Sequence, residues 1–148
     1  MKSLVIDSSV AAKWFLPASA DPFASQAVDI FHRFAAGQLN VIVPELFWAE
    51  LGSVFWKAVR QSRCTKAAAE FALRSLKETR VRTVPSLVVV ESAFDIAVRF
   101  ERSMYDALYV ALASVSRTTF VTADERLVNA LATHFPVRWL GAVDLSWR

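Results

Sequence analysis

Four carboxylates in this 148-residue sequence stand where they can do chemistry. Asp7 directly follows Leu4-Val5-Ile6, a run apolar on both faces, the signature of a strand buried in a parallel sheet. In open α/β sheets, ligands bind beyond the carboxyl ends of the strands. Asp124 lies two residues past the β-rich run 118–122, again at a strand end. Asp106 closes Ser103-Met104-Tyr105-Asp106, an acid three residues after a serine at a helix start. Each of these three also has a structural explanation: Asp7 and Asp124 as N-caps, Asp106 as the acid of a capping box. Glu50 has none. It falls in mid-helix, and its neighbours one turn away are Leu46, Phe47, Ser53 and Val54, none of them a cation. Burying a carboxylate on such a face is costly unless positive charge arrives from elsewhere in the fold or from a metal.

Hard oxygen ligands with no histidine or cysteine cluster point to Mg²⁺ or Mn²⁺. His32, His134 and Cys64 are the only residues of those two types, so a thiolate or imidazole zinc site is excluded. Chemistry that uses several carboxylates and no protein nucleophile is phosphodiester hydrolysis by metal-activated water. The net charge of +3 suits an anionic substrate, and most of the cations are Arg, whose planar fork matches phosphate. The plainer reading of those cations is a solvated surface. Lys13, Arg102 and Arg126 lie within a few residues of the acids and are the candidates to hold phosphates. The three glycines, Gly37, Gly52 and Gly141, are too dispersed to build a phosphate-cradling loop. A haloacid-type phosphotransferase needs a second acid where this chain has Ser9. A receiver domain needs a late lysine, and the last one here is Lys77.

The elements that must position these acids are legible in outline. The chain is 55% apolar and 12% aromatic, without repeats or linkers, and reads as one domain over residues 1–148. No uncharged run is long enough to span a bilayer. Lys2 is followed by a short apolar run that meets Asp7 at once, so no leader peptide is expected. A single cysteine fits a reducing, cytoplasmic setting. Strands are expected at 3–7, 40–43, 81–84, 118–122 and 137–140, with helices between them. Ser8 to Leu16 forms the first helix. Asp21-Pro22 opens the next, striped by Phe23, Ala27, Phe31 and Phe34 and closed by Gly37. Pro44 starts a helix to about Arg60. Thr65 caps one with Phe71, Ala72 and Leu76 inward, and Ser86 caps one to about Glu101. Ser103 caps one to about Ser116, and a last helix runs from Asp124 to about His134. Asp29–Arg33, Glu70–Arg74 and Asp95–Arg99 read as surface pairs one turn apart. Strands alternating with helices argue an α/β fold.

The residues then resemble a known family. Val5-Ile6-Asp7-Ser8-Ser9-Val10-Ala11-Ala12-Lys13-Trp14-Phe15 is similar to the opening of a PIN-domain protein of the VapC type. Pro44-Glu45-Leu46-Phe47-Trp48-Ala49-Glu50-Leu51 resembles its second motif, with the acid at the helix centre. The stretch from Ser103 to Ala113 resembles its Tyr-Asp-Ala signature, and Thr122-Ala123-Asp124 its Thr-x-Asp element. The likeness spans about Leu4 to Leu140. It implies a Rossmann-like three-layer α/β/α sandwich with a central parallel sheet of about five strands. It implies a Mg²⁺- or Mn²⁺-dependent endoribonuclease, the toxin of a type II toxin–antitoxin pair. The family's acidic quartet falls on Asp7, Glu50, Asp106 and Asp124, catalytic and metal-binding, with Ser8 and Thr122 matching the supporting hydroxyls.

The partners so implied are RNA, a VapB-like antitoxin and a second copy of the chain. DNA is reached only through the antitoxin, and no membrane is involved. Phe47, Trp48, Phe55 and Trp56 crowd one helix and, with Phe23 and Phe31 as neighbours, form the candidate surface for the antitoxin or the second copy. Two alternatives stand beside the toxin: a PIN-fold nuclease of RNA processing without an antitoxin, and a non-catalytic PIN-fold binding module, whose mark is loss of one or more acids.

Overall fold

The structure, a computed structural model, describes residues 1–16, 21 and 23–144. Strands β1 (Lys2–Ile6), β2 (Leu39–Pro44), β3 (Arg82–Val84), β4 (Thr119–Thr122) and β5 (Val137–Trp139) form one sheet in the order β3-β2-β1-β4-β5. All pairings are parallel, and the strands fall within a residue or so of the expected runs. Leu4, Val5 and Ile6 are buried as a central strand between two neighbours requires. From β1 the chain steps to β2 and β3 on one side, then returns to β4 and β5 on the other. That reversal between β1 and β4 opens a crevice at the carboxyl edge of the sheet. It also sends right-handed crossovers to opposite faces, which yields the three-layer α/β/α sandwich.

The helices are α1 (Ser8–Ala11), α2 (Ala24–Ala35), α3 (Leu46–Arg60), α4 (Lys66–Lys77), α5 (Ser86–Phe100), α6 (Met104–Val115) and α7 (Glu125–Leu131). Gly37 adopts φ 72° and closes α2 as expected: its N–H bonds to Phe34 O and that of Gln38 to Arg33 O. Thr65 and Ser103 cap α4 and α6 through their hydroxyls. Among the described residues no helix is long and apolar enough to cross a membrane.

Several local expectations are corrected. The helix expected over residues 8–16 stops at Ala11 and tightens into a 3-10 turn over Ala12–Trp14. The Trp14 indole bonds to Ala27 O at 2.8 Å and packs on Phe31 and Phe34, so the turn is pulled onto α2. The opening of α2 lies at Ala24, with Asp21 Oδ1 accepting from Phe23 N; Pro22 lies outside the described residues. Ser86 is the first residue of α5, not its cap. Pro85 holds the cap position without an acceptor side chain, and Glu45, at the start of α3, reaches across to accept from Ser86 N at 2.8 Å. Glu70 pairs with Lys66 rather than Arg74.

Phe71 points outward, 70% exposed, because the buried face of α4 is set by Ala69, Ala72 and Leu76. The aromatic cluster on α3 divides as well. Phe47 and Phe55 are buried in the core, Trp48 is half-buried and donates to Thr83 Oγ1, and only Trp56 is well exposed, with the Arg60 guanidinium 4.9 Å over its ring. Phe47→Ala should therefore cost about 3–5 kcal/mol of stability, the range for truncating a buried aromatic. Trp56→Ala should cost less than about 1 kcal/mol. Urea unfolding of both variants checks the division; equal losses would contradict it.

Candidate active site

The four acids converge on the carboxyl edge of the sheet from four elements. Asp7 ends β1 and caps α1, accepting the Ser9 N–H on Oδ1 at 3.1 Å. The Ser9 hydroxyl donates to the same oxygen and itself accepts the Ala123 N–H at 3.2 Å. On the other side, Thr122 Oγ1 donates to Asp7 Oδ2 at 2.5 Å and accepts the Asp124 N–H at 3.1 Å. Both oxygens of Asp7 are thus tied to the segment 122–124 after β4. Asp124 in turn caps α7, its Oδ1 accepting from Arg126 N and Leu127 N at 3.1 and 3.2 Å.

Asp106 lies in the first turn of α6, its N–H capped by Ser103 Oγ at 3.1 Å. The turn that delivers it is tight: Glu101 sits in the left-handed region at φ 53°, and the Arg102 N–H closes onto Ala97 O. Glu50 extends from the middle of α3 and accepts a 2.5 Å hydrogen bond on Oε1 from the hydroxyl of Tyr109, a residue of α6. The Tyr109 ring is buried and stacks on Phe120 of β4, centroids 5.2 Å apart and planes 13° from parallel.

Sequence reasoning missed two of these groups. The hydroxyl on Asp7 belongs to Ser9, whereas Ser8, expected in that role, is buried as the first residue of α1. A serine two residues past an N-cap aspartate is well placed to meet its carboxylate, and that was the available signal. Tyr109 stands three residues after Asp106, hence on the same face of the helix. Thr122 is where it was expected. Of the candidate phosphate holders, Lys13 is engaged elsewhere, in an ion pair with Asp21 at 2.5 Å. Arg102 spends its Nε on Phe100 O at 3.2 Å while its charge acts on Asp106. Arg126 is exposed at the start of α7.

Among the described residues none of the four acids forms an ion pair with a protein cation. Burial pushes the Asp7 carboxyl above its ordinary range, against the lowering effect of its hydrogen bonds from Ser9 and Thr122. Burial also raises Glu50, and the charges of Asp7 and Asp106 add to it while Tyr109 opposes. Burial likewise raises Asp106, which feels Asp124, with Ser103 and Arg102 opposing. Burial and the Glu50 carboxylate beside it raise Tyr109, so it stays a protonated donor. Crowded, desolvated carboxylates not locked in ion pairs are a donor set suited to a hard divalent ion. Among the described residues no three of them close on one point. Mg²⁺ needs no such cage, because it keeps several waters and takes one or two carboxylates directly.

The raised groups give a pH signature. A carboxyl whose folded pKa exceeds its unfolded value favours the fold only while protonated. That contribution is complete below the ordinary values of 3.8 for Asp7 and Asp106 and 4.5 for Glu50, and is lost as pH climbs through the raised ones. In EDTA, Asp7→Asn should therefore melt at or above the parent temperature near neutral pH, with the advantage vanishing toward about pH 4. Thermal melts of both proteins across that range check it; an Asn variant that melts well below the parent at neutral pH would contradict it.

Comparison with known proteins bears on the fold and the family. Among curated proteins no sequence is recognisably similar. PAE2754 of Pyrobaculum aerophilum has a similar structure, with a TM-score of 0.66 and 23% identity, covering 95% of this chain and 92% of that one. VapC20 of Mycobacterium tuberculosis, described as a sarcin-ricin loop cleaving toxin, superposes with a TM-score of 0.62 at 22% identity, over 89% of this chain and 95% of that one. VapBC2 of Rickettsia felis, solved with a DNA fragment from its promoter, gives 0.65 at 10% identity, over 93% and 98%. The family model for the PIN domain matches residues 4–131, a span that holds all four acids, and the chain accordingly belongs to the PIN-domain family.

Proposed function

We propose that this chain is a Mg²⁺- or Mn²⁺-dependent endoribonuclease, the toxin of a type II toxin–antitoxin pair, with Asp7, Glu50, Asp106 and Asp124 as its metal-binding and catalytic acids. The observation that carries the reading is the gathering of those acids at the sheet's switch point, with no ion pair to any of them among the described residues. Retention of all four speaks against a binding module that has lost catalysis. The likeness of the fold to toxin–antitoxin proteins supports the partner.

A bound divalent ion supplies Lewis-acid activation of the attacking water and offsets charge on the phosphodiester. The protein's share is placement. Ser9 and Thr122 hold the Asp7 carboxylate by both oxygens, and Thr122 passes the same constraint to the backbone of Asp124. Arg102, beside Asp106, and exposed Arg126 are the cations for flanking phosphates; Lys13, paired with Asp21, drops from that role. The setting is cytoplasmic, where RNA and a reduced Cys64 both belong.

Two surfaces suit the two protein partners. Between α3 and α4, Trp48, Glu70, Leu73, Arg74 and Lys77 line a groove of about 450 Å³, with Trp56 and Phe71 exposed on the same two helices. It is the surface for an antitoxin segment, which would carry the only DNA contact. On α5, Leu87, Val90, Phe94 and Val98 form an exposed stripe at helical spacing, separate from the buried face of Val89, Ala93 and Ile96. Leu87 is 85% exposed and Phe94 63%. A helix apolar on two faces has two neighbours to cover, and a second copy of the chain supplies the same stripe in a symmetric pair.

Asp7→Asn and Glu50→Gln should each abolish Mn²⁺-dependent cleavage of RNA while remaining folded in EDTA. Each should also lose most of the melting-temperature rise that Mn²⁺ gives the parent, since a ligand bound only by the native state stabilises it by mass action. Cleavage by Asp7→Asn at the parent rate would sink the assignment. For the dimer, light scattering should give twice the chain mass at micromolar concentration for the parent and a monomer for Phe94→Glu. A monomeric parent defeats the dimer without touching the nuclease.

A further inference from the structure

Glu50 differs from its three companions. Asp7, Asp106 and Asp124 stand at helix starts, where backbone N–H groups steady an anion. Glu50 lies in mid-helix, has three side-chain torsions, and has no cation among its helical neighbours. Among the described residues, its side-chain hydrogen bond comes from Tyr109, at 2.5 Å. The Tyr109 ring is held by its stack on Phe120, itself buried on β4, so the hydroxyl is a fixed point. The contact joins α3, α6 and β4, and it sits one helical turn from Asp106 on the same face of α6. Resting on the nuclease reading above, we propose that Tyr109 is the positioning residue of the acidic site, holding Glu50 where a divalent cation is to be bound.

The choice of donor explains why this works. An Arg or Lys in the same place would hold the carboxylate equally well but would cancel its charge and compete with the ion. A phenol spends one proton on Oε1 and leaves the full negative charge on Glu50. Without the hydroxyl, a flexible Glu side chain beside two other anions swings toward solvent, because like charges repel and rotamer entropy favours release. Partners that orient a metal-binding carboxylate typically change metal affinity by 10–100-fold when removed.

Tyr109→Phe keeps the ring and its stack on Phe120 and deletes only the hydroxyl. The test measures Mn²⁺ binding to the metal-free full-length chain by electron paramagnetic resonance of the unbound ion, beside melting in EDTA. The Mn²⁺ dissociation constant should rise about tenfold while the metal-free melting temperature stays within a few degrees of the parent. In the Glu50→Gln background the same substitution should change Mn²⁺ affinity by less than twofold, since the group it acts through is gone. In RNA cleavage, the Mn²⁺ concentration for half-activation should rise about tenfold with kcat at saturating Mn²⁺ largely retained. A Tyr109→Phe chain that binds Mn²⁺ within twofold of the parent, whether or not it melts lower, reduces Tyr109 to packing and overturns the proposal while leaving the nuclease intact. A parent chain that binds no Mn²⁺ and cleaves no RNA overturns the nuclease reading and this proposal with it.

Discussion

The carboxylate of Asp7 is the point on which the carboxyl edge of the sheet depends. It terminates the central strand, caps the helix that follows, and receives Ser9 on one oxygen and Thr122 on the other. Through those two hydroxyls it fixes the backbone N–H groups of Ala123 and Asp124, so the end of β1 and the end of β4 form one hydrogen-bonded unit. Parallel strands side by side do not by themselves specify how their following loops are arranged. Here the loops are locked by a buried anion whose lone pairs are shared between them. The cost is desolvation, visible as the raised pKa of Asp7, and it is borne because several donors converge on the group.

Structural and chemical roles coincide at these positions. Asp7 and Asp124 are N-caps, and Asp106 lies in the first turn of a capped helix. Each helix start contributes partial positive charge and free N–H groups, which lets a carboxylate remain ionised close to other carboxylates. Capping therefore reduces the repulsion that the cluster generates, and it does so without an ion pair to any of the acids among the described residues. Glu50 lacks that support and is anchored instead by a neutral phenol across the layer boundary. The site is steadied by dipoles and hydroxyls throughout, so its negative charge stays available.

The same economy of charge contrasts with the outer surface. The ion pairs of Asp29, Glu70 and Asp95 lie on exposed helix faces one turn from their partners and contribute little to stability. Lys13 and Asp21 form a less exposed pair that ties the turn after α1 to the approach of α2, with Asp21 held below its ordinary pKa range by the lysine even though burial opposes ionisation. Apolar side chains are used unevenly. The large aromatics of α2 and α3 mostly fill the core, while α5 keeps Leu87, Phe94 and Val98 in water. One face of α5 packs on α6 while a second apolar face points outward.

Much of this was legible in the chain. The five strands, the order of the helices and the closures at Thr65, Ser103 and Gly37 follow from local rules of period and capping chemistry, whereas Asp106 joined the acidic candidates through the family resemblance of its motif. Glu50 stood out because a mid-helix carboxylate without a cation one turn away has no local explanation. Contacts between distant segments were not legible. Strand order, and with it the switch point, depends on which crossover lies on which face. That Ser9 rather than Ser8 meets Asp7 depends on the angle at which α1 leaves β1. That Phe71 and Trp56 face water while Phe47 and Phe55 are core depends on a rotation of about 100° between adjacent helical residues, too fine for an apolar count to resolve. The bonds from Glu45 to Ser86, from Thr122 to Asp7 and from Tyr109 to Glu50 span 41, 115 and 59 residues. Local sequence determined which groups would be available and on which elements. Only tertiary packing, which sets long-range distances to fractions of an ångström, decided which of them touch.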